Sequence, residues 1–358
     1  MDKFFINKKL LEELKFVDEK LAQDFDFNLP NVQKQLVDSL LRDGNLTDSY
    51  TDVRVDEAIK NLGLTQADFV EYMKAISLYQ IKKDYSKALE IFQYLQQKYP
   101  NIPSFLYYQG IIYMEFEMFD DAIFCFQDML DIQPQNYQAM MGIANSLMLS
   151  GYYDEAIIHY QNISGIYPDS IEPIIFNGVT ENLRGNYINA LNIFEKIKVI
   201  KPTENISNYQ GYTYFLLGEY DKAIYHYDKY LKSDIKDYQS FYMLGKIYNK
   251  KKNFIKSKFY LESALEISQS KGDFSIIPDV LFEFGLTYSG FGEYQEAISY
   301  FDGVLDIDPQ DIDAYIQKSE CLFKLGDISG AKNILKNAIF QIGENDQLLD
   351  TLSKMQDA

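Results

Sequence analysis

The chain has 358 residues, with 34 Lys plus Arg against 53 Asp plus Glu, a formal net charge of −19. An acidic excess of that size opposes a general nucleic-acid-binding surface, which needs clustered cations to neutralise phosphate. No apolar run approaches the ~20 residues of a membrane-spanning helix, and two cysteines, Cys125 and Cys321, are too few for a disulfide framework or a cysteine-based zinc site.

Residues 1–68 do not repeat. Charges at Asp2, Lys3, Lys8 and Lys9 interrupt any signal-peptide core, so a cytoplasmic location is expected. Leu10, Leu11, Leu14, Phe16, Val17 and Leu21 fall at helical spacing, residues 32–41 and 55–62 also read as helices, and 39–51 is a polar loop. Two readings stand for this segment: a helical cap on the array that follows, or a separate docking or dimerisation arm.

From residue 69 the chain repeats itself. Ala88, Ala122, Ala156, Ala190, Ala223, Ser257, Ala297 and Ala331 occupy one equivalent position, mostly 34 residues apart; one separation of 33 and one of 40 mark a deletion and an insertion. About 12 residues earlier stands a small residue: Gly110, Ala144, Gly178, Gly211, Gly245, Gly285 or Ser319, with Ile76 breaking the rule in the first repeat. Four residues after the alanine comes a large one: Phe92, Phe126, Tyr160, Phe194, Tyr227, Leu261, Phe301 or Leu335. Pro100, Pro134, Pro168, Pro202 and Pro309 close five of the repeats. The spacings trace helix faces, and turn-forming pieces such as Leu217-Gly218-Glu219 and Gly290-Phe291-Gly292 lie between the halves, so each repeat reads as helix, turn, helix. Small residues on both helices let the axes approach while aromatics fill the space beside them. The boundaries fall at 69–102, 103–136, 137–170, 171–203, 204–237, 238–271, 278–311 and 312–345. The insertion near residues 271–275 is expected to lengthen the helix ends beside it. Leu348, Leu349, Leu352 and Met355 place a capping helix in residues 346–358.

Order and period together resemble the tetratricopeptide-repeat (TPR) family. The resemblance implies an all-α fold, a right-handed α-solenoid of helix-turn-helix units with helical caps. It also implies a concave surface lined by the first helices. Carried over by position, that surface holds Tyr107, Ile111 and Met114; Met141, Asn145 and Met148; Ile175, Val179 and Asn182; Asn208, Tyr212 and Phe215; Tyr242, Lys246 and Asn249; and Phe282 and Leu286. TPR proteins that grip the C-termini of Hsp70 and Hsp90 use a Lys/Asn clamp; here the first-repeat positions are Met73 and Ser77, so that ligand is not expected. An apolar groove with asparagines in an acidic chain matches an apolar or basic-amphipathic polypeptide. The alternatives are that some of these side chains pack between neighbouring repeats instead, and that the assignment of positions is off by one helix turn.

No catalytic constellation stands out. His159 and His226 share one repeat position, too far apart for a common metal site. Asp120-Asp121 and Asp154-Glu155 recur with the repeat and suit the first turn of a helix. The lysine-rich run 246–258 is read as a solvated turn, with an acidic ligand as the alternative. Glycine-rich phosphate loops and nucleophile elbows are missing, so neither cofactor nor metal nor enzymatic activity is expected. The function expected is a protein-interaction scaffold. Alternatives are a chaperone for an exported protein, since the last repeat bears a partial likeness to type III secretion TPR chaperones, or a TPR signalling regulator.

Overall fold

The computed structural model describes residues 59–233 and 236–356; the helices expected before residue 59 lie outside them. The chain falls into two compact units, Met1–Lys201 and Pro202–Ala358.

In the N-terminal unit, α1 (Gln66–Ser77) runs on through a π-helical turn (Leu78–Lys82). It is followed by α2 (Tyr85–Lys98), α3 (Pro103–Glu115), α4 (Phe119–Ile132), α5 (Tyr137–Leu149), α6 (Tyr153–Ile166), α7 (Glu172–Leu183) and α8 (Tyr187–Ile200). The C-terminal unit holds α9 (Ser207–Leu216), α10 (Tyr220–Leu231), α11 (Tyr238–Lys250), α12 (Phe254–Ser270), α13 (Ile277–Phe291), α14 (Tyr294–Ile307), α15 (Ile312–Lys324), α16 (Ile328–Ile342) and α17 (Asp346–Gln356). The described residues contain no strand. The fold is all-α, a solenoid of helix-turn-helix pairs in each unit.

Local chemistry sets the helix ends. Asp84, Asn136, Asp237 and Asp311 cap their helices by accepting a backbone N–H from the first turn. Pro103 opens α3, where its missing N–H costs nothing. The turn inside each pair needs one left-handed residue. Gly151, Gly185, Gly218, Gly292 and Gly326 supply it in five repeats, while Lys83, Glu117 and Lys252 adopt it, at φ 55–58°, in the other three.

The repeat's signature residues form the core. All seven alanines and Ser257 at the common position are fully buried, and so are the large residues four positions on, save a trace of exposure at Tyr227. The glycines on the first helices make room for the large residue of the second helix, a ring at Gly110, Gly178, Gly211 and Gly285 and Leu261 at Gly245. A Cβ at Gly110 would lie 2.7 Å from Phe126, and one at Gly285 would lie 2.5 Å from Phe301. Phe126 is held from the other side too, by Gly142 of α5 at 2.6 Å. Ile76 breaks the small-residue rule just before the π-helical turn, and there Phe92 stacks instead on Tyr108, 4.8 Å between centroids. The insertion does lengthen a helix: α12 has 17 residues where α4, α6 and α8 have 14. At the C-terminal end, α17 closes the last pair with Leu348, Leu352 and Met355 against Tyr315, Leu335 and Ala338.

Within each unit the first helix of a pair touches both its own partner and the first helix of the next pair, as α3 does with α4 and α5, and α11 with α12 and α13. First helices therefore form an inner layer with neighbours on several sides.

Candidate protein-binding face

In the N-terminal unit the candidate face is carried by α3, α5 and α7. Tyr107, Ile111, Met114, Met141, Asn145, Met148, Ile175 and Asn182 are buried there, and Val179 is partly exposed. Tyr107 and Met141 retain only 3% and 2% of their surface, because neighbouring first helices and the second-helix rings cover them. Tyr107 packs on Tyr108 and Phe126, at 5.6 and 6.4 Å between centroids. Asn145 turns inward: its carbonyl accepts the hydroxyl of Tyr160 at 2.6 Å, and its amide nitrogen is buried without a hydrogen bond. These residues are thus mainly the inner wall of the core. A sequence signal existed, since α3 (PSFLYYQGIIYME) is apolar all the way round, and such a helix is buried all round.

In the C-terminal unit the face is carried by α9, α11 and α13. Asn208 and Tyr242 are buried, while Tyr212, Phe215, Lys246, Asn249, Phe282 and Leu286 keep part of their surface. Tyr212 and Phe215 stack at 6.4 Å, and Phe215 leans on Tyr220 at 6.0 Å, so the aromatic pair is held rigid yet reachable. Phe282 sets its edge on Phe301 at 5.6 Å, and Leu286 packs beside it.

Lys246 and Asn249 are tied into a polar network that the repeat positions do not announce. Asn249 donates to the backbone carbonyl of Glu283 at 2.9 Å and to its carboxylate at 2.8 Å. Thr287 donates to the Asn249 carbonyl at 2.9 Å. Lys246 lies over the Tyr242 ring, with its ammonium 4.0 Å from Glu283. The lone acid in Phe282-Glu283-Phe284 was the readable sign of this network. It satisfies a buried carboxylate and leaves the lysine committed within the protein.

Burial sets the environment of two other candidates for chemistry, His159 and Cys125. Burial holds the His159 imidazole below its ordinary pKa, in the neutral form. Burial, and then Asp128 and Asp121, push the Cys125 thiol up to about 12, so it stays protonated; both cysteines are free. Among the described residues no group of His, Cys, Asp and Glu has metal-holding geometry, and no helix is long and apolar enough to cross a membrane.

Tandem helix pairs that bury a common alanine and a large residue four positions on, and stack through their first helices, define a helical repeat protein. Tetratricopeptide-repeat profiles match residues 70–101, 209–234, 238–271 and 290–354. The chain is a tetratricopeptide-repeat protein. Anaphase-promoting complex subunit 3 of Schizosaccharomyces pombe is 23% identical over 243 residues, 67% of this chain and 36% of that protein. The chain thus spans about a third of that relative's length. Among solved structures, the anaphase-promoting complex hetero-tetramer Cut9–Hcn1 superposes over 84% of this chain and 59% of that one, with a TM-score of 0.59 and 14% identity. Yeast Tom70 superposes over 99% and 79%, again at 0.59, with 12% identity. These two likenesses are of fold.

Proposed function

We propose that this protein is a non-enzymatic scaffold of the cytoplasm that binds a polypeptide on its first-helix face. The observation carrying the reading is the Tyr212–Phe215 pair: stacked, partly exposed, and on the inner helix α9. Rigid aromatics of this kind anchor protein interfaces, because they offer large area at small entropic cost. TPR repeats are protein-interaction modules, and by name the fission-yeast relative is a subunit of a larger complex, which agrees with a scaffolding role. The ligand class is an apolar or basic-amphipathic peptide, favoured by the net charge of −19. Lys246 is engaged with Glu283, which speaks against a carboxylate-terminus ligand at that position. In this reading residues 69–345 are eight repeats, 346–358 a cap, and 1–68 a cap or second docking arm.

Affinity capture of the full chain followed by hydrogen exchange of the complex tests this. The expected result is protection of α9 and of the neighbouring first helix α11. Protection confined to second helices would place the partner elsewhere and overturn the reading.

A further inference from the structure

Two surfaces on the second helices carry opposite charge around the same kind of apolar centre, and neither belongs to the first-helix face. The first is in the N-terminal unit. Residues 99–183 contain eleven Asp and Glu and no Lys or Arg. At equivalent positions of consecutive second helices, Phe124 of α4 is 66% exposed and Ile158 of α6 is 62% exposed. One helical turn before Phe124 come Asp120 and Asp121, and one turn before Ile158 come Asp154 and Glu155, so each apolar residue shares its helix face with a pair of acids. Asp154 is engaged by Arg184 at 2.8 Å; Asp120, Asp121 and Glu155 are exposed. The crowding of negative charge is felt locally: burial, and then Asp131, hold the Asp128 carboxyl above its ordinary pKa.

The second is in the C-terminal unit. Residues 238–261 contain six lysines and no acid, the reverse of the chain's overall balance. On α12, Ile255 is 76% exposed and Phe259, one turn on, is 60% exposed. Lys252 and Lys256 flank them and are themselves exposed, with Lys256 reaching over the Tyr248 ring at 5.0 Å. Lys251 is paired with Asp221, and Glu262 follows Phe259 on the next turn, so the positive charge sits on the beginning of the helix. Phe259 holds the same repeat position as Phe124 and Ile158.

Exposed apolar side chains gathered on one face and rimmed by charge mark contact surfaces, whereas apolar residues scattered singly do not. Opposite charge around them fixes which surface meets which, since like faces repel and unlike faces attract and orient. We propose that the acidic face of α4 and α6 docks on the basic face of α12 in a second copy of this chain. Every copy carries both faces, so the occupant each requires is always present. The contact is heterologous, one patch on a different patch, and so generates dimers or longer assemblies according to its closure. It leaves the first-helix face free for a polypeptide, and its success or failure is independent of that reading.

The test is light scattering after size exclusion, with the full chain and two charge-reversed variants. Wild type should self-associate, and raising ionic strength from ~20 mM to ~500 mM should weaken that association at least tenfold, because the charges are exposed and screened. Lys252→Glu with Lys256→Glu should be monomeric, its two faces now both acidic. Asp120→Lys, Asp121→Lys and Glu155→Lys together, with Asp154 already paired with Arg184, should also be monomeric, its two faces now both basic. An equimolar mixture of the two variants should associate again, the intact acidic face of one docking on the intact basic face of the other. Wild type that stays monomeric at low salt overturns the proposal without reference to any variant. Folded variants, by circular dichroism, that associate like wild type overturn it too, as does a mixture that remains monomeric.

Discussion

Arg184, on the turn after α7, reaches back one repeat to Asp154 at the start of α6, 2.8 Å away. The C-terminal unit repeats the arrangement at the same two positions, with Lys251 on Asp221 at 2.5 Å. A cation in the turn of one repeat and an acid at the start of the preceding second helix thus form an inter-repeat tie. Between the second and third repeats the acid is present as Asp120, but the turn position is Ser150, which only returns to the Ser146 and Leu147 carbonyls.

Ser150→Arg should complete the missing tie. An exposed pair of this kind is worth about 0.5 kcal/mol. A double-mutant cycle with Asp120→Asn in thermal melts should show coupling at low salt that fades at high salt; additivity of the two changes would show that the turn geometry does not transfer.

Gly110→Ala should destabilise the second repeat although alanine is the better helix former. The helix-propensity gain of about 1 kcal/mol is set against overpacking of about 1–3 kcal/mol. The Phe126 ring has nowhere to go, being held between Gly110 and Gly142. Hydrogen exchange should show α3 and α4 opening sooner, and Phe126→Leu in the same chain should recover part of the loss. Slower exchange in the single variant would mean the ring yields.

The equivalent tyrosines Tyr160 and Tyr227 should respond oppositely to loss of a hydroxyl. Tyr160 donates to Asn145, so Tyr160→Phe leaves a buried amide carbonyl unpaired and should cost about 1–2 kcal/mol. The Tyr227 hydroxyl is buried with no hydrogen bond, so Tyr227→Phe should be neutral or stabilising by up to about 1 kcal/mol. Phenylalanine already stands there in four other repeats. Urea midpoints of the two variants decide the matter, and equal shifts would refute it.

Asp68 gives the first helix pair a pH signature. Burial pushes its carboxyl upward, but hydrogen bonds from Lys98, Thr65 and Tyr99 outweigh it and hold the pKa at about 2, below the ordinary 3.8. A depressed folded pKa adds stability that is complete above the unfolded value and disappears as pH falls from about 4 toward 2. Amide exchange in α1 and α2 should therefore accelerate over that window, and Asp68→Asn should flatten the dependence. An unchanged profile in the variant would place the acid response elsewhere.

The fold was legible because a 34-residue recurrence of alanine, small residue and ring encodes which faces meet inside a pair. Ala122, Gly110 and Phe126 lie as their spacing implies. The face was less legible. Position within a helix gives direction but not how many neighbours crowd it, so Tyr107 and Met141 carry the inward register and are nonetheless buried. Partners across repeats, such as Asn249 with Glu283 and Arg184 with Asp154, depend on the stacking of one pair on the next. A single repeat's spacing does not contain that geometry.

The central claim, polypeptide binding on the first-helix face, is tested most directly by titrating the captured partner calorimetrically into Tyr212→Ala with Phe215→Ala. Two truncated anchors at ~2 kcal/mol each imply a loss of affinity of ~100-fold or more, with circular dichroism unchanged because both residues are only partly buried. Phe340→Ala, which removes an aromatic exposed on the second helix α16, should leave affinity unchanged. Wild-type affinity in the double variant would contradict the account.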